Sequence, residues 1–144
     1  MIASGKGYLE LVNEILIKDA WVNHCDGDQR SALHYAIDNQ VENLDVVNLL
    51  IENQADINKE TMNDGFTPLI IATNRGHKSI AKRLIDQGAK IDAFECCHSN
   101  TALHIACMNG EFDIVQMLAN IDTFETLCKK ENKDGQTPFD ISEA

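Results

Sequence analysis

The histidines and cysteines are the residues of this chain with the widest chemical repertoire, and their spacing limits what they can do. Cys96-Cys97-His98 sets three metal-ligating side chains in a row, with His24-Cys25 as a second group. Adjacent cysteines chelate poorly, because structural zinc sites use separated ligands such as C-x₂₋₄-C. Cys107 follows His104 by three residues, on the same side of a helix. A nucleophilic pair would need a pocket and a third, orienting group, and a buried inert thiol accounts for the residue as well. Asp26-Gly27-Asp28 opens like a calcium loop, but Arg30 stands where an oxygen ligand belongs and no glutamate closes the loop at its twelfth position. No glycine-rich phosphate loop is present. With no complete set of nucleophile, base and pocket, neither an enzyme nor a bound cofactor is expected.

The elements that position these residues belong to one domain. The chain has 144 residues, 44% hydrophobic and 24% charged, which is a globular composition. Aromatics make up only 6% and prolines number two, against a sandwich of many short strands. The formal charge of −11 disfavours unspecific attraction to nucleic acid or an anionic membrane, and suits a partner with a basic surface. Apolar runs are too short to span a bilayer, and no signal-peptide core opens the chain. Five cysteines, two of them adjacent, do not form a disulfide framework. A reducing compartment, cytoplasmic or nuclear, is expected.

Four segments recur: Ser31-Ala32-Leu33-His34, Thr67-Pro68-Leu69-Ile70, Thr101-Ala102-Leu103-His104 and Thr137-Pro138-Phe139-Asp140, at intervals of 36, 34 and 36 residues. A hydroxyl residue followed by Pro or Ala is a helix start. Ala36, Ala72 and Ala106 follow where two helices approach closely, and breaks at Gly7, Gly76 and Gly110 lead into second helices. Those show a helical apolar period: Leu9, Val12, Leu16; Leu44, Val47, Leu50, Ile51; Ile80, Leu84, Ile85; Ile114, Val115, Leu118. Gly88 is a left-handed cap, and the Asp- and Gly-bearing stretches at Asp26-Gly27-Asp28 and Asn63-Asp64-Gly65 are turns. One such unit cannot bury its apolar face alone, so units must stack.

The pattern resembles the ankyrin repeat, most closely in Asp64-Gly65-Phe66-Thr67-Pro68-Leu69 with Ala72, Gly76-His77 and Gly88-Ala89. The resemblance implies an all-α solenoid of helix-turn-helix units with protruding turn or hairpin loops, a single domain over 1–144. Repeats fall at 26–61, 62–95 and 96–131, with partial repeats at 1–25 and 132–144. It departs from the pattern in two extra residues between Ala36 and Asn43 and in the long stretch from Ala119 to Cys128. Gln29 and Ser99 replace turn glycines, and Asp19 and Gln54 replace capping glycines. The register sets the two cysteine groups two units apart, roughly 20 Å at about 10 Å per helix pair, too far for one metal site. The resemblance also gives His34 and His104 a structural role, tying helix starts to their neighbours.

The resemblance further implies binding of another protein through the concave face, made of loop tips and exposed positions of the first helices. Position by position this selects Asp28, Arg30, Asp38 and Asn39; Asn63, Asp64, Phe66, Asn74 and Arg75; Cys97, His98, Asn100, Met108 and Asn109; and Lys133, Asp134 and Gln136. Phe66 is either an exposed aromatic anchor or packs sideways on the next loop. Asp28, Asp64 and Asp134 form an acidic row, although turn chemistry alone favours Asp there. Arg75, Lys78, Lys82, Arg83 and Lys90 form a basic cluster, the lesser surface. Asn58, with Asp56, Ile57 and Leu50 before it, fits the preference of asparaginyl hydroxylases, or simply hydrogen-bonds its loop. An adaptor or occluding inhibitor is the expected function, monomeric in isolation. The alternative is a targeting or regulatory piece of a larger enzyme or channel, since Met1 to Gly7 read as the end of a helix and Ala144 falls within another.

Overall fold

The structure is a computed structural model describing residues 21–142. The expected break at Gly7, the helix of Leu9, Val12 and Leu16, and the cap at Asp19 lie outside the described residues. Among the described residues eight helices follow one another: α1 (Ala32–Ile37), α2 (Leu44–Glu52), α3 (Pro68–Asn74), α4 (Lys78–Asp86), α5 (Ala102–Asn109), α6 (Phe112–Ala119), α7 (Phe124–Cys128) and α8 (Pro138–Ser142). The described residues contain no strand; two isolated antiparallel bridges, Cys25 with Ser31 and Phe94 with Thr101, mark the bases of loops.

The repeat spacing becomes three successive helix pairs. Ser31, Thr67 and Thr101 sit in extended backbone at the N-caps of the inner helices α1, α3 and α5. At α3 the Thr67 hydroxyl accepts from the Ile70 amide at 3.3 Å, and Pro68 fills the first helical turn, where its missing N–H is not needed. Ala36, Ala72 and Ala106 are completely buried, since only a methyl fits where paired helices meet. The outer helices turn one stripe inward: Val46, Val47 and Leu50 from α2, Ile80, Ala81 and Leu84 from α4, Ile114 and Leu118 from α6. Each inner helix packs on the next, α1 on α3 and α3 on α5, and each outer helix on the next, α2 on α4 and α4 on α6. One core therefore runs through all the pairs.

Three departures from the regular pattern take definite forms. The helix break between α1 and α2 absorbs the extra residues as an irregular bend before Asn43. The long stretch after Ala119 folds as α7, burying Leu127. Gln29, Gln54 and Ser99, which replace glycines, adopt the glycine-like left-handed backbone with φ of +59°, +65° and +60°.

Candidate functional site

The loops between pairs are built around one polar side chain each. Asp26 accepts from the amides of Asp28 and Arg30 at 3.0 and 2.9 Å. Thr61 accepts from the Phe66 amide at 2.9 Å. Glu95 takes the amides of Cys97, His98 and Asn100 at 2.6, 2.8 and 3.0 Å. Asn132 accepts from Asp134 and Gln136, each at 3.0 Å. Glu95 is only 5% exposed; burial raises its pKa, but the three amides outweigh that and hold it below the usual carboxylate range. Consecutive loops are then stitched by backbone bonds: Met62 N–H to Asp28 C=O, Cys96 to Asp64, and Lys133 to His98, at 2.8, 2.8 and 2.7 Å. Exposed Asp28, Asp64 and His98 sit on this line of loop tips, and the Asn63 side chain donates to Asp28 at 3.2 Å.

On the inner helices a second line of side chains crosses the repeats. Asp38 at the C-cap of α1 receives Arg30 from its own unit at 2.5 Å and Arg75 from the next at 2.6 Å. Arg30 also lies over the Tyr35 ring, 5.0 Å from its centroid. Burial raises the Asp38 pKa, but hydrogen bonds from Arg75 and Arg30 outweigh it and keep the carboxylate ionised to lower pH than usual. One unit further, the Asn109 amide donates to the Asn74 side chain at 3.4 Å. Arg75, Asn74 and Asn109 are exposed, and Met108 beside them is an exposed apolar side chain. Asp38 belongs at the centre of this row: it is the residue that joins Arg30 to Arg75, a relation between repeats that no single repeat displays.

Two of the expected contact residues need correction. Asn100 is 7% exposed, and its side chain accepts from Asn132 at 3.0 Å, so it ties two loops together rather than facing outward. Phe66 is half-buried, with its side chain packed against the core, so it is not a fully exposed aromatic. Its carbonyl receives the His34 ring. Asn58 accepts from the Lys90 amide at 2.8 Å, as Asn23 accepts from Asp56 at 2.7 Å. That loop-to-loop bond is reason enough for an asparagine at this station.

The residues with chemical repertoire are held in structural roles. The His34 ring accepts at Nδ1 from the Ser31 amide at 3.0 Å, and its Nε2 faces the carbonyls of Lys59 and Phe66 at 3.1 and 3.3 Å. The acceptors at Nε2 place a proton there, and the Ser31 amide donating to Nδ1 leaves Nδ1 without one, so the ring is neutral. His104 repeats the arrangement with Thr101 and Gln136. Burial lowers the pKa of both. Cys107 and Cys128 are half-buried, and burial raises both thiols, the reverse of nucleophile activation. Among the described residues no group of three His, Cys, Asp or Glu is arranged to hold a metal ion, and no helix is long and apolar enough to cross a membrane.

Known proteins share this pattern. The chain is 34% identical over 138 residues to mouse "Ankyrin repeat and SAM domain-containing protein 6", covering 92% of the chain and 14% of that protein. It is 39% identical over 119 residues to nematode (Caenorhabditis elegans) "Ankyrin repeat and KH domain-containing protein mask-1", 82% of the chain and 4% of the relative. "Potassium channel AKT1" of Arabidopsis thaliana matches at 37% over 78 residues, 54% of the chain and 9% of the channel. The chain thus spans a small part of each relative's length. The family description "Ankyrin repeats (3 copies)" matches residues 1–61 and 42–129. Such repeats are generally non-enzymatic protein–protein interaction modules, and this chain belongs to the ankyrin-repeat family.

Proposed function

We propose that the chain is a protein-interaction module that takes its partner on the concave side, across the loop tips and the exposed positions of α1, α3 and α5. The carrying observation is the row Arg30, Asp38, Arg75, Asn74 and Asn109, tied across three consecutive units by side-chain hydrogen bonds. Side chains fixed in this way lose less freedom on binding than free ones, so their contacts return more affinity. Asp28, Asp64 and His98 extend the surface along the loop tips, and the net charge of −11 favours a partner with a basic surface. A cytoplasmic or nuclear setting suits the five unpaired cysteines.

A photo-crosslinking residue at Asn109, on the inner row, and another at Lys82, on α4, test this in cell lysate. A protein adduct at Asn109 and none at Lys82 is expected. An adduct at Lys82 alone would move binding to the outer helices and end the reading. A second reading, the targeting or regulatory part of a larger protein, is favoured by relatives of which the chain spans 14% or less, one of them a channel. The length of the natural transcript decides between a free-standing adaptor and such a part.

A further inference from the structure

Cys96 and Cys97 are adjacent and both exposed, at the tip of the loop between α4 and α5. Nothing in the build of the loops calls for sulfur there. The Glu95 carboxylate shapes this loop, taking the Cys97 amide at 2.6 Å and the His98 amide at 2.8 Å. In the other loops the two positions after the central polar residue hold Gly27 and Asp28, Met62 and Asn63, and Lys133 and Asp134. Cys25, Cys107 and Cys128 are half-buried, the last two against the core, where a thiol behaves as a small apolar side chain. The exposure of the pair does not come from a missing neighbour. The preceding loop accepts the Cys96 amide at the Asp64 carbonyl at 2.8 Å, and the following loop gives the Lys133 amide to the His98 carbonyl at 2.7 Å.

We propose that Cys96 and Cys97 form a paired modification site, which hydrogen peroxide closes to a vicinal disulfide and a small thiol reopens. One sulfur attacks peroxide: an S–O bond forms, the O–O bond breaks, and the departing hydroxide leaves as water with the thiol's proton. The second sulfur attacks this sulfenic acid, the S–S bond forms, the S–O bond breaks and a second water leaves. Two electrons pass from the thiols to peroxide. Reopening consumes two molecules of a thiol such as glutathione, which depart as their own disulfide. The Cys96 sulfur lies against Gly65, where a Cβ would stand 2.6 Å from it, and rotation about one exposed bond carries it toward Cys97. Adjacent Cα atoms are about 3.8 Å apart across a trans peptide, below the about 4.4 Å at which disulfides ordinarily begin. Closure must therefore turn the peptide between Cys96 and Cys97. Both polar groups of that peptide are held, its carbonyl by the Lys133 ammonium and its N–H by Glu95. A ring closed against these contacts is strained, and strained, exposed disulfides are the ones that small thiols reduce. Such a bond is transient, as disulfides of a reducing compartment are.

The test treats the intact, reduced chain with a few equivalents of hydrogen peroxide and then alkylates the thiols that remain. The count of free thiols should fall from five to three. Peptide mapping should place the loss of two hydrogens at Cys96 and Cys97, both unalkylated, about tenfold faster or more than any loss at Cys25, Cys107 or Cys128. Glutathione should restore all five. Cys96→Ser and Cys97→Ser change exposed side chains, and circular dichroism checks that each variant stays folded. In each, the remaining sulfur should stop at a sulfenic acid, trapped by dimedone, with no disulfide inside the chain. Several results would overturn the proposal: no loss at Cys96 and Cys97, earlier loss at Cys107 and Cys128, or a disulfide joining two chains. So would oxidation to a sulfinic acid that glutathione does not reverse.

Discussion

A left-handed backbone costs a residue that has a Cβ about 1–2 kcal/mol, and this chain accepts that cost at Gln29, Gln54 and Ser99. At the matching stations Gly65 and Gly88 take φ of +66° and +81° without it. Gln54 offers a clean test, because its backbone carbonyl, not its side chain, receives the Asn23 amide at 3.0 Å. Gln54→Gly should raise the unfolding free energy by about 0.5–1 kcal/mol after glycine's greater chain entropy is counted. Urea denaturation reads this as a higher midpoint at unchanged slope, and a lower midpoint would contradict it. Phe66→Ala should act in the other direction, lowering stability by about 1–3 kcal/mol, since a half-buried ring packed on the core is lost. An unchanged urea midpoint would return Phe66 to the exposed surface. At this scale the sequence was legible where a residue answers to its own backbone, as the substituted glycines do. It was not legible where exposure depends on the next loop, as for Asn100.

Helices and loops in this molecule complete one another across unit boundaries. The first turn of α4 has amides with no partner in their own helix, and Glu42 of the preceding unit supplies it, accepting from Ser79 at 2.8 Å and Ile80 at 3.0 Å. A carboxylate there also meets the positive end of the helix dipole. Glu42→Ala should therefore lower stability by about 1 kcal/mol, the usual loss when a cap is removed, and speed hydrogen exchange at Ser79 and Ile80 first. Unaltered exchange at those amides would show that the contact carries no weight in solution. Helix starts, close-packed alanines and apolar stripes could be read from sequence because each recurs with the same residue type. The loop centres could not, because Asp26, Thr61, Glu95 and Asn132 do one job with four different side chains. Their shared signal is a polar residue five or six positions before each helix cap. The bridge of Arg30, Asp38 and Arg75 was hidden for a related reason: its partners lie up to 37 residues apart, on different units.

Over the whole molecule, the two imidazole braces make stability depend on pH. His34 joins the α1 start to the loop before α3, and His104 joins the α5 start to the loop before α8. The equivalent position on α3 is Ile70, almost completely buried and without a titrating group. Both rings are needed neutral, since a proton on Nδ1 would face the donating amide of Ser31 or Thr101. Burial lowers both pKa values from the ordinary 6.5, so on acidification the unfolded chain takes up protons before the folded one. The sign follows: stability is fully present above about pH 6.5 and falls below it, by at most ~1.4 kcal/mol per pH unit for each histidine. Asp38 and Glu95, whose pKa values are lowered, add their losses only in the carboxylate range further down. Urea midpoints should therefore decline between pH 7 and 5.5, before any carboxylate takes part. The ring resonances of His34 and His104 should titrate below 6.5 while the protein stays folded. If stability is flat from pH 7 to 5.5, or either ring titrates near 6.5 in the folded protein, the braces do not hold neutral imidazoles and the coupling of neighbouring units through them is wrong.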